Sequence, residues 1–577
     1  MMTSTFKAML LGAAITIAVP AVAQDATGYW QGVLTTPAGT LPVGVNIERA
    51  AGGELTGSMD SPDQQAFDIP LSDVEASEGT LSFRVPAVGG EYRGQWQAET
   101  NSWGGFWSQG ASALPLTLTA GERPDRSAAT DQSNWPDDWT VPGDNEITAL
   151  LEQRIAQRPG TGMVAGILDQ RGMRTVARGP SDASSFDSDT IFEIGSMTKV
   201  FTALLLADMA EEGIVSLDDP VVKYLPEGAT MPTRRGQQIT LRNLAQHDSG
   251  LPRLPSNLNP ADHQNPYADY TERQLLDFLA TYELPRDIGS QFEYSNLGMG
   301  LLGYALGRAA DTGYETILRE RILDPLGMHD TAIALSPNQQ ARFAVGRDEF
   351  NRPTSAWDLP VLAGAGALRS TATDMLKFLQ AALDPQSPLG PAMKLSLADP
   401  REAPGFRAGL AWRILSSPTG TILMHGGGTG GFRTHMALQP DMERAIVIFA
   451  NSAVEPSAKD ISLHLLAGAP VAEAGSVPDV PQTVERGEPI ELGAEQLDRM
   501  VGTWRLTPQI DIEITRQGDQ LFAAVTGQGA LPIFPRAPLE FFWRAANAEI
   551  VFIEEDGRIA RATFTQDGSS APLTKIE

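Results

Sequence analysis

Near both ends of the chain, hydrophobic and polar residues alternate in short runs that are separated by glycine-containing turns. A period of two residues predicts strands at residues 41–47 and 81–85, and again at 510–514, 521–525, 549–553 and 559–564. Asp556-Gly557 adds a strong hairpin signal to the later group. These patterns predict two small β domains, at residues 24–120 and 492–577.

The middle of the chain, residues 145–466, combines helical and strand-like periodicity. Apolar residues at helical spacing predict helices at 199–212, 272–282 and 372–383, and apolar runs predict strands at 163–168, 409–415 and 445–450. The mixture predicts an α/β domain. Polar, proline-containing stretches at 121–144 and 467–491 predict linkers on either side of it.

Aromatic residues and glycines cluster in the first β domain, where Trp30, Trp96, Trp103 and Trp107 occur. Buried aromatic rings usually supply core area, so we favour a packed core over a platform that stacks on carbohydrate. Tyr29-Trp30-Gln31-Gly32 also resembles Gly502-Thr503-Trp504 faintly, but the similarity is too short to define a repeat.

The first 23 residues have the features of a secretory signal peptide. Lys7 precedes an apolar run at residues 8–19, and Ala21-Val22-Ala23 forms a small-x-small cleavage site. The run is shorter than the ~20 residues of a membrane-spanning helix, so we favour cleavage after Ala23 over an anchor. We therefore expect a periplasmic or secreted protein with no integral membrane association.

Composition excludes several kinds of chemistry. Lys plus Arg total 43 and Asp plus Glu total 71, and the resulting net charge of −28 disfavours binding to nucleic acid. The chain contains no cysteine, which excludes disulfides, thiolate nucleophiles and cysteine-ligated metals. None of the six histidines has the HExxH spacing of a metalloprotease, and no EF-hand-like loop occurs; the histidines are His247, His263, His329, His425, His435 and His464.

A serine and a lysine share one face at the start of a predicted helix. Ser196 and Lys199 lie one turn apart in Gly195-Ser196-Met197-Thr198-Lys199. A partly desolvated lysine has a lowered pKa and can take the proton of a serine hydroxyl. Taken alone, this S-x-x-K pattern is common by chance in long proteins and is more typical of a serine helix cap followed by a surface lysine.

Two further segments strengthen the chemical interpretation. Tyr294-Ser295-Asn296 offers a tyrosine that can relay protons and an amide that can hold Lys199 or a substrate carbonyl. His425-Gly426-Gly427-Gly428 offers a histidine that can bind a substrate carbonyl or carboxylate, followed by glycines whose N–H groups are open to a ligand. The alternatives are a buried tyrosine beside a turn and a glycine-rich hairpin with an incidental histidine.

In this order, the three motifs resemble the serine β-lactamase and penicillin-binding-protein family, in its class C, D,D-peptidase and esterase branch. The resemblance covers roughly residues 145–465 and includes segments 191–199, 213–225, 241–252 and 366–374. It implies an α/β sandwich with an antiparallel sheet and a helical subdomain, flanked here by the two small β domains. The last ~80 residues resemble the lipocalin-like domains appended to many such hydrolases.

The resemblance also implies roles for individual residues. Ser196 would be the acylated nucleophile, Lys199 and Tyr294 would share acid–base work, and Asn296 would position Lys199 or the substrate. The backbone N–H groups of Ser196 and Gly428 would form the oxyanion hole. No metal or organic cofactor would be needed. His247 lies in a segment whose histidine is structural in the family.

The third motif departs from the family pattern, which is Lys-Thr-Gly or His-Thr-Gly, because this chain has His425-Gly426-Gly427. Without the lysine charge and the threonine hydroxyl, recognition of a substrate carboxylate should weaken. We therefore expect a small-molecule substrate that is a carboxylic ester first, a D-amino-acid peptide or amide second and a β-lactam third. A catalytically inert scaffold or sensor is a further alternative, and the β domains are candidates for homo-oligomer contacts.

Overall fold

The computed structural model describes residues 25–576 except 37–38, 51, 62–65, 78, 110–111, 124–134, 180–185, 263, 404, 475–488, 508–509, 526–530, 544–547, 556 and 567–568. The predicted signal peptide at 1–23, parts of both predicted linkers, His263 and Asp556 of the predicted hairpin lie outside the described residues.

The first β domain is one antiparallel sheet with the strand order β4-β3-β2-β1-β9-β8-β7-β6-β5. Trp30, Trp103 and Trp107 are buried in its core, and Trp30 and Trp103 meet edge to face with ring centroids 6.1 Å apart. This packing supports the core interpretation of these aromatic residues. The strands are β1 (Gly28–Thr36), β2 (Gly39–Arg49), β3 (Leu55–Ser61), β4 (Ala66–Pro70), β5 (Ser72–Ser77), β6 (Thr80–Val85), β7 (Gly90–Gln97), β8 (Ser102–Gln109) and β9 (Ser112–Ala120).

The middle segment is built on an antiparallel sheet with the strand order β11-β10-β21-β20-β19-β18-β17-β16. The strands of this segment are β10 (Met163–Asp169), β11 (Gly172–Arg178), β12 (Phe192–Glu193), β13 (Thr233–Arg234), β14 (Gln237–Gln238), β15 (Arg369–Ser370), β16 (Arg401–Ala403), β17 (Phe406–Ala408), β18 (Arg413–Ser417), β19 (Gly420–Gly428), β20 (Arg433–Gln439) and β21 (Arg444–Ala450). Its helices are α1 (Asp144–Ile155), α2 (Thr198–Glu211), α3 (Leu241–Ala245), α4 (Glu272–Thr281), α5 (Asn296–Ala309), α6 (Tyr314–Leu318), α7 (Pro337–Gln340), α8 (Ala372–Leu383), α9 (Gly390–Ser396) and α10 (Lys459–Ala467).

Helices cover both faces of this sheet. One face packs in the same hydrophobic core as α2 and α8, and the other packs against α1 and α10. Every residue of β21 is buried, as expected for a strand that is covered on both sides. The predicted α/β sandwich with an antiparallel sheet is thus confirmed, and the helical elements between β14 and β15 form its helical part.

One predicted strand is partly wrong. The apolar pattern predicts a strand at 409–415, but β18 begins only at Arg413. Residues 409–412 form a turn in which Gly409 N–H donates to the Trp412 carbonyl at 2.9 Å, and Ala411 has a φ of +58°. The apolar residues Leu410, Ala411 and Trp412 are instead buried in the hydrophobic core that also contains α2 and α8, and an apolar run in the sequence cannot distinguish this burial from that of a strand.

The C-terminal strands close into a barrel in chain order, from β22 through β29. Its interior is filled by side chains such as those of Trp504, Ile512 and Phe552. The lipocalin-like character of this segment stays a prediction. A short helix, α11 (Ala494–Asp498), precedes β22 (Gly502–Thr507), β23 (Ile510–Gln517), β24 (Gln520–Val525), β25 (Leu531–Ala537), β26 (Glu540–Trp543), β27 (Ala548–Glu555), β28 (Arg558–Gln566) and β29 (Ser569–Lys575).

The faint sequence similarity between the two β domains has a structural counterpart. The indole N–H of Trp30 donates to the Ala26 carbonyl at 2.8 Å, and that of Trp504 donates to the Met500 carbonyl at 2.9 Å. Each tryptophan lies in the first strand of its domain, two residues after a glycine with positive φ. The short similarity in sequence therefore corresponds to the same tryptophan contact at the start of each β domain.

The two β domains also contact each other. Phe106 of β8 is buried in the hydrophobic cluster of the C-terminal barrel, and its ring stacks on Phe564 with centroids 5.5 Å apart. This contact joins segments more than 450 residues apart in the chain. A homo-oligomer through the β domains stays a prediction.

Residues just before α1 pack against the middle segment. The Trp139 indole donates to the Leu465 carbonyl at 3.2 Å and meets the His464 ring at 4.9 Å, and Trp135 joins the core beneath α10. The end of the predicted first linker is therefore packed against the sheet. Among the described residues, no helix combines the length and the apolar character needed to cross a membrane.

Candidate active site

Ser196 lies in a tight turn that leads from β12 into α2, and Lys199 is the second residue of that helix. The Lys199 ammonium group donates to Ser196 Oγ at 2.9 Å and to the Ala365 carbonyl at 2.6 Å, and Lys199 is fully buried. Gly195 has a φ of +50°, and a β-carbon there would lie 2.7 Å from the Gly428 backbone nitrogen. The turn can therefore bring the serine against β19 only with a glycine at this position.

Tyr294 lies directly before α5, with its ring centroid 4.8 Å from Lys199 Nζ. Burial lowers the pKa of Lys199, because the charged form loses its hydration. Burial alone would raise the pKa of Tyr294, but the charge of Lys199 and hydrogen bonding to Lys199 and Ser196 outweigh it, and this pKa is lowered. Ser196, Lys199 and Tyr294 thus form one compact, desolvated cluster in which both proton-transfer groups have pKa values below their usual ranges.

Two arginines that the sequence analysis did not single out flank the Tyr294 ring. The guanidinium carbons of Arg253 and Arg413 lie 5.3 Å and 5.7 Å from its centroid. Both side chains are partly buried, and among the described residues neither forms a salt bridge with a carboxylate. Burial lowers the pKa of Arg413 to about 10, so this side chain is still cationic at neutral pH.

Neither arginine belongs to one of the three motifs, and only tertiary contacts reveal their importance. Arg253 directly follows Leu251-Pro252, and Arg413 follows Trp412. In the sequence, each of them is only a single charged residue between apolar neighbours, and this pattern is too common to indicate a functional residue. Their convergence on Tyr294 adds positive charge to the site besides that of Lys199.

His425 and the glycines after it lie at the end of β19. The His425 ring is buried, its Nδ1 lies 2.7 Å from the Gly426 carbonyl oxygen, and burial holds its pKa well below the usual value. The imidazole is therefore neutral. A β-carbon on Gly427 would lie 2.0 Å from the Ile194 carbonyl oxygen, so only glycine lets β19 approach the nucleophile turn this closely.

Asn296 is the first residue of α5. Its Nδ2 lies 3.5 Å from the Tyr267 hydroxyl, and its buried Oδ1 has no hydrogen-bond partner within the described part of the chain. Beyond it, the rings of Tyr267 and Trp357 meet with centroids 5.4 Å apart. The predicted contact between Asn296 and Lys199 is not among the hydrogen bonds of the described residues.

His247 supports the tyrosine from behind. Its Nδ1 accepts the Ser295 backbone N–H at 3.1 Å, and its ring lies against Tyr294 with centroids 4.6 Å apart. Burial keeps its pKa well below the usual value, so the imidazole is neutral. His247, Phe292, Tyr294, Trp412 and His425 enclose a chamber of only about 10 Å³, roughly the space of one water molecule.

No cluster of three or more metal-ligating side chains occurs in the part of the chain that the structure describes. The site consists of the Ser196 hydroxyl, the Lys199 amine and the Tyr294 phenol, which lie close together. The backbone of the nucleophile turn and that of Gly428, at the end of β19, lie beside them. This arrangement can perform acyl transfer through a serine ester.

Comparison with known proteins places the chain in a family. A family model described as Beta-lactamase matches residues 147–469. The chain is 33% identical to the D-alanyl-D-alanine-carboxypeptidase/endopeptidase AmpH of Escherichia coli (strain K12) over 302 residues, which cover 48% of this chain and 76% of AmpH. It is 26% identical to penicillin-binding protein 4* of Bacillus subtilis (strain 168) over 416 residues, which cover 68% of this chain and 88% of that protein.

The crystal structure of a beta-lactamase/D-alanine carboxypeptidase from Yersinia pestis complexed with citrate is 26% identical. The match covers 55% of this chain and 93% of that one, with a TM-score of 0.47. The fold and the site define a serine hydrolase. The chain belongs to the beta-lactamase family, because the family model matches more than half of its residues.

Proposed function

We propose that the protein hydrolyses its substrate through an acyl-enzyme on Ser196. The observation that carries this proposal is the 2.9 Å contact between Ser196 Oγ and the buried Lys199 amine. In its neutral form, Lys199 takes the serine proton as Ser196 attacks the scissile carbonyl. Tyr294 lies over the amine and delivers a proton to the leaving group.

The remaining roles follow from the same arrangement. The backbone N–H groups of Ser196 and Gly428 stabilise the negative charge on the carbonyl oxygen, and such a donor is often worth ~3–4 kcal/mol. Asn296 and the strand of His425, Gly426 and Gly427 line the two sides of the substrate. Water then hydrolyses the serine ester, and no step requires a cofactor.

We infer that the preferred substrate is a peptide that ends in a D-amino acid with a free carboxylate. The sequence argument against such a substrate was the missing lysine of the third motif. Arg253 and Arg413 supply positive charge beside Tyr294 and have no carboxylate partner among the described residues. The similarity to AmpH, named a D-alanyl-D-alanine-carboxypeptidase/endopeptidase, supports the same substrate class.

A carboxylic ester is the second candidate. The observation that favours it is the neutral His425 at the position where the family pattern most often has lysine. An ester also needs less help with its leaving group than an amide does. Secretion after cleavage at Ala23 is part of the proposal and can be checked by sequencing the N-terminus of the exported protein.

The test compares four substrates with the mature protein and its Ser196→Ala variant. They are acetyl-L-lysyl-D-alanyl-D-alanine as the free acid, the same peptide with an amidated C-terminus, p-nitrophenyl butyrate and nitrocefin. We expect release of D-alanine from the free acid that is lost in Ser196→Ala and is at least tenfold slower with the amidated peptide. Ser196-dependent hydrolysis of the ester alone would establish the second candidate instead.

An arginine variant tests the source of the preference. A hydrogen bond to a charged group is worth about 1.5–3 kcal/mol, so Arg413→Met should lower kcat/KM for the free acid about 10- to 150-fold. The amidated peptide should lose less, because it offers no carboxylate. Absence of Ser196-dependent hydrolysis of all four substrates would favour the inert scaffold.

A further inference from the structure

The small chamber of about 10 Å³ that adjoins the ring of Tyr294 has polar groups in its lining. His247 and Trp412 line it and are only 4% and 1% exposed. The His247 Nε2 and Trp412 Nε1 atoms are buried and have no hydrogen-bond partner within the described part of the chain. A buried polar atom without a partner is costly, so such atoms often belong to sites where a ligand supplies the missing bond.

Both of these nitrogen atoms are hydrogen-bond donors. The indole nitrogen of Trp412 can only donate. His247 Nδ1 accepts the Ser295 backbone N–H at 3.1 Å, and burial keeps the imidazole neutral, so its single proton is on Nε2. The lining therefore includes two N–H groups that need an acceptor.

The lining is also positively charged. Arg413 belongs to it, and its guanidinium carbon lies 5.7 Å and 5.1 Å from the ring centroids of Tyr294 and Phe406, which line the same space. Arg413 forms neither a hydrogen bond nor a salt bridge with another described residue. Arg253 adds a second charge 5.3 Å from the Tyr294 centroid, and no carboxylate is among the described side chains that line the chamber.

This charge distinguishes between the two kinds of ligand that a chamber of this size can hold, a water molecule and a monatomic ion. A water molecule could accept from the two N–H groups, and it could donate to His425, whose Nδ1 proton is already used by the Gly426 carbonyl at 2.7 Å. It would leave the Arg413 guanidinium without a counter-charge, however, and a desolvated charge without a partner costs more than an unmet hydrogen bond. A monatomic anion supplies both the acceptor and the counter-charge.

We propose that this chamber binds one chloride ion, held by the N–H groups of His247 and Trp412 and by the Arg413 guanidinium, and that the bound ion inhibits the enzyme. The binding depends only on the lining of the chamber. The inhibition rests on the proposed acyl-enzyme at Ser196, in which neutral Lys199 is the base.

The reason for inhibition is the electrostatic coupling between the chamber and the base. The charged and titratable groups that face the Tyr294 ring are those of Lys199, Arg253, Arg413, His247 and His425. Burial lowers the pKa of Lys199, and the charges of the two arginines lower it further. An anion that offsets these charges keeps more of the Lys199 amine protonated, and the protonated amine cannot accept the serine proton.

The kinetic experiment measures hydrolysis of p-nitrophenyl acetate at neutral pH while sodium gluconate is replaced stepwise by sodium chloride at constant ionic strength. We expect saturable inhibition by chloride and by bromide. Sodium sulfate at the same ionic strength should not reproduce it, because a five-atom ion does not fit a chamber of this size. Inhibition of equal size by sulfate, or the absence of inhibition by chloride, would overturn the proposed inhibition.

Trp412→Phe tests whether the ion is bound in this chamber, because the variant keeps an aromatic ring and loses the N–H. We expect the chloride concentration for half-inhibition to rise about tenfold or more, since a hydrogen bond to a charged group is lost. Trp357→Phe is the matched control, because the Trp357 Nε1 is also buried without a partner among the described residues but does not line the chamber. An equal change in the two variants would overturn the assignment to this chamber.

A crystal grown in sodium bromide tests the binding without any assay of activity. We expect an anomalous-scattering peak within hydrogen-bond reach of His247 Nε2 and Trp412 Nε1, in the wild-type protein and in Ser196→Ala. An ordered water molecule at this place, with no anomalous peak, would overturn the anion site. Ester hydrolysis that persists in Ser196→Ala would instead overturn the acyl-enzyme, whatever the chamber holds.

Discussion

Replacing Gly427 with alanine tests how closely β19 must approach the nucleophile turn. The added β-carbon would lie 2.0 Å from the Ile194 carbonyl oxygen and 2.3 Å from Thr434 Oγ1. Neither atom can swing aside, because Thr434 Oγ1 donates to this carbonyl at 3.0 Å and the Met197 N–H also donates to it at 3.2 Å. The strand and the turn must therefore separate by more than 1 Å.

The size of the effect follows from that displacement. A misplacement of about 1 Å at a catalytic site can cost about 100-fold in rate, or about 2.7 kcal/mol. We expect Gly427→Ala to lower kcat/KM for p-nitrophenyl acetate by about this factor and to slow labelling of Ser196 by a fluorophosphonate. Overpacking should also lower the free energy of unfolding by about 1–3 kcal/mol, so the assay is run where circular dichroism shows the variant folded.

The adjacent glycine is the matched control. A β-carbon on Gly426 would meet nothing closer than His435 Cδ2, at 3.2 Å. Gly426→Ala should therefore lose less than about fivefold in kcat/KM, since a shift of a few tenths of an ångström relieves the contact. If kcat/KM of the folded Gly427→Ala protein is within threefold of the value for Gly426→Ala, the reaction does not depend on the close approach of β19 to the nucleophile turn.

Three further predictions concern protonation and domain packing. Because burial lowers the pKa of Lys199 and the neutral amine is the base, kcat/KM should rise with pH through an ionisation below the usual lysine pKa, and Lys199→Arg should remove that rise. Because burial keeps the pKa values of His247 and His425 well below the usual range, the plot of kcat/KM against pH should show no inflection near pH 6.5. An inflection there that disappears in His425→Asn would contradict this prediction. Phe106→Ala should lower the free energy of unfolding measured with urea by about 3–5 kcal/mol, whereas the control Val33→Ala, at a position that is 50% exposed, should change it little.

Elements whose periodicity is local could be predicted from the sequence. The helix predicted at 372–383 has those bounds in α8, and the strand predicted at 521–525 lies within β24. The turn at residues 409–412 could not be predicted in this way, because its apolar residues are buried by tertiary contacts. An apolar run indicates that consecutive residues are buried, not that neighbouring strands bury them.

The nucleophile cluster could also be anticipated, because Ser196 and Lys199 are one turn apart and their contact is set by local geometry. Tyr294 is almost a hundred residues further along the chain and required the order of the motifs. The hydrogen bond that the Trp357 N–H donates to the Glu193 carboxylate at 2.7 Å could not be predicted, because a contact between a strand and a distant loop leaves no spacing signal in the sequence. Site residues that are close to the nucleophile in the sequence can thus be predicted, whereas contacts between distant segments cannot.

The charge of the site shows why motif identity alone misleads about substrate choice. Sequence reasoning assigned the recognition charge to the third motif and inferred its loss from the absence of lysine at His425. In the folded chain that histidine is buried and neutral, and cationic groups reach the same tyrosine from two other segments, through Arg253 and Arg413. A substrate carboxylate interacts with the electrostatic potential at the place where it binds, whichever segment supplies the charge. The preference for a carboxylate therefore depends on the charges of the folded site and not on the third motif alone.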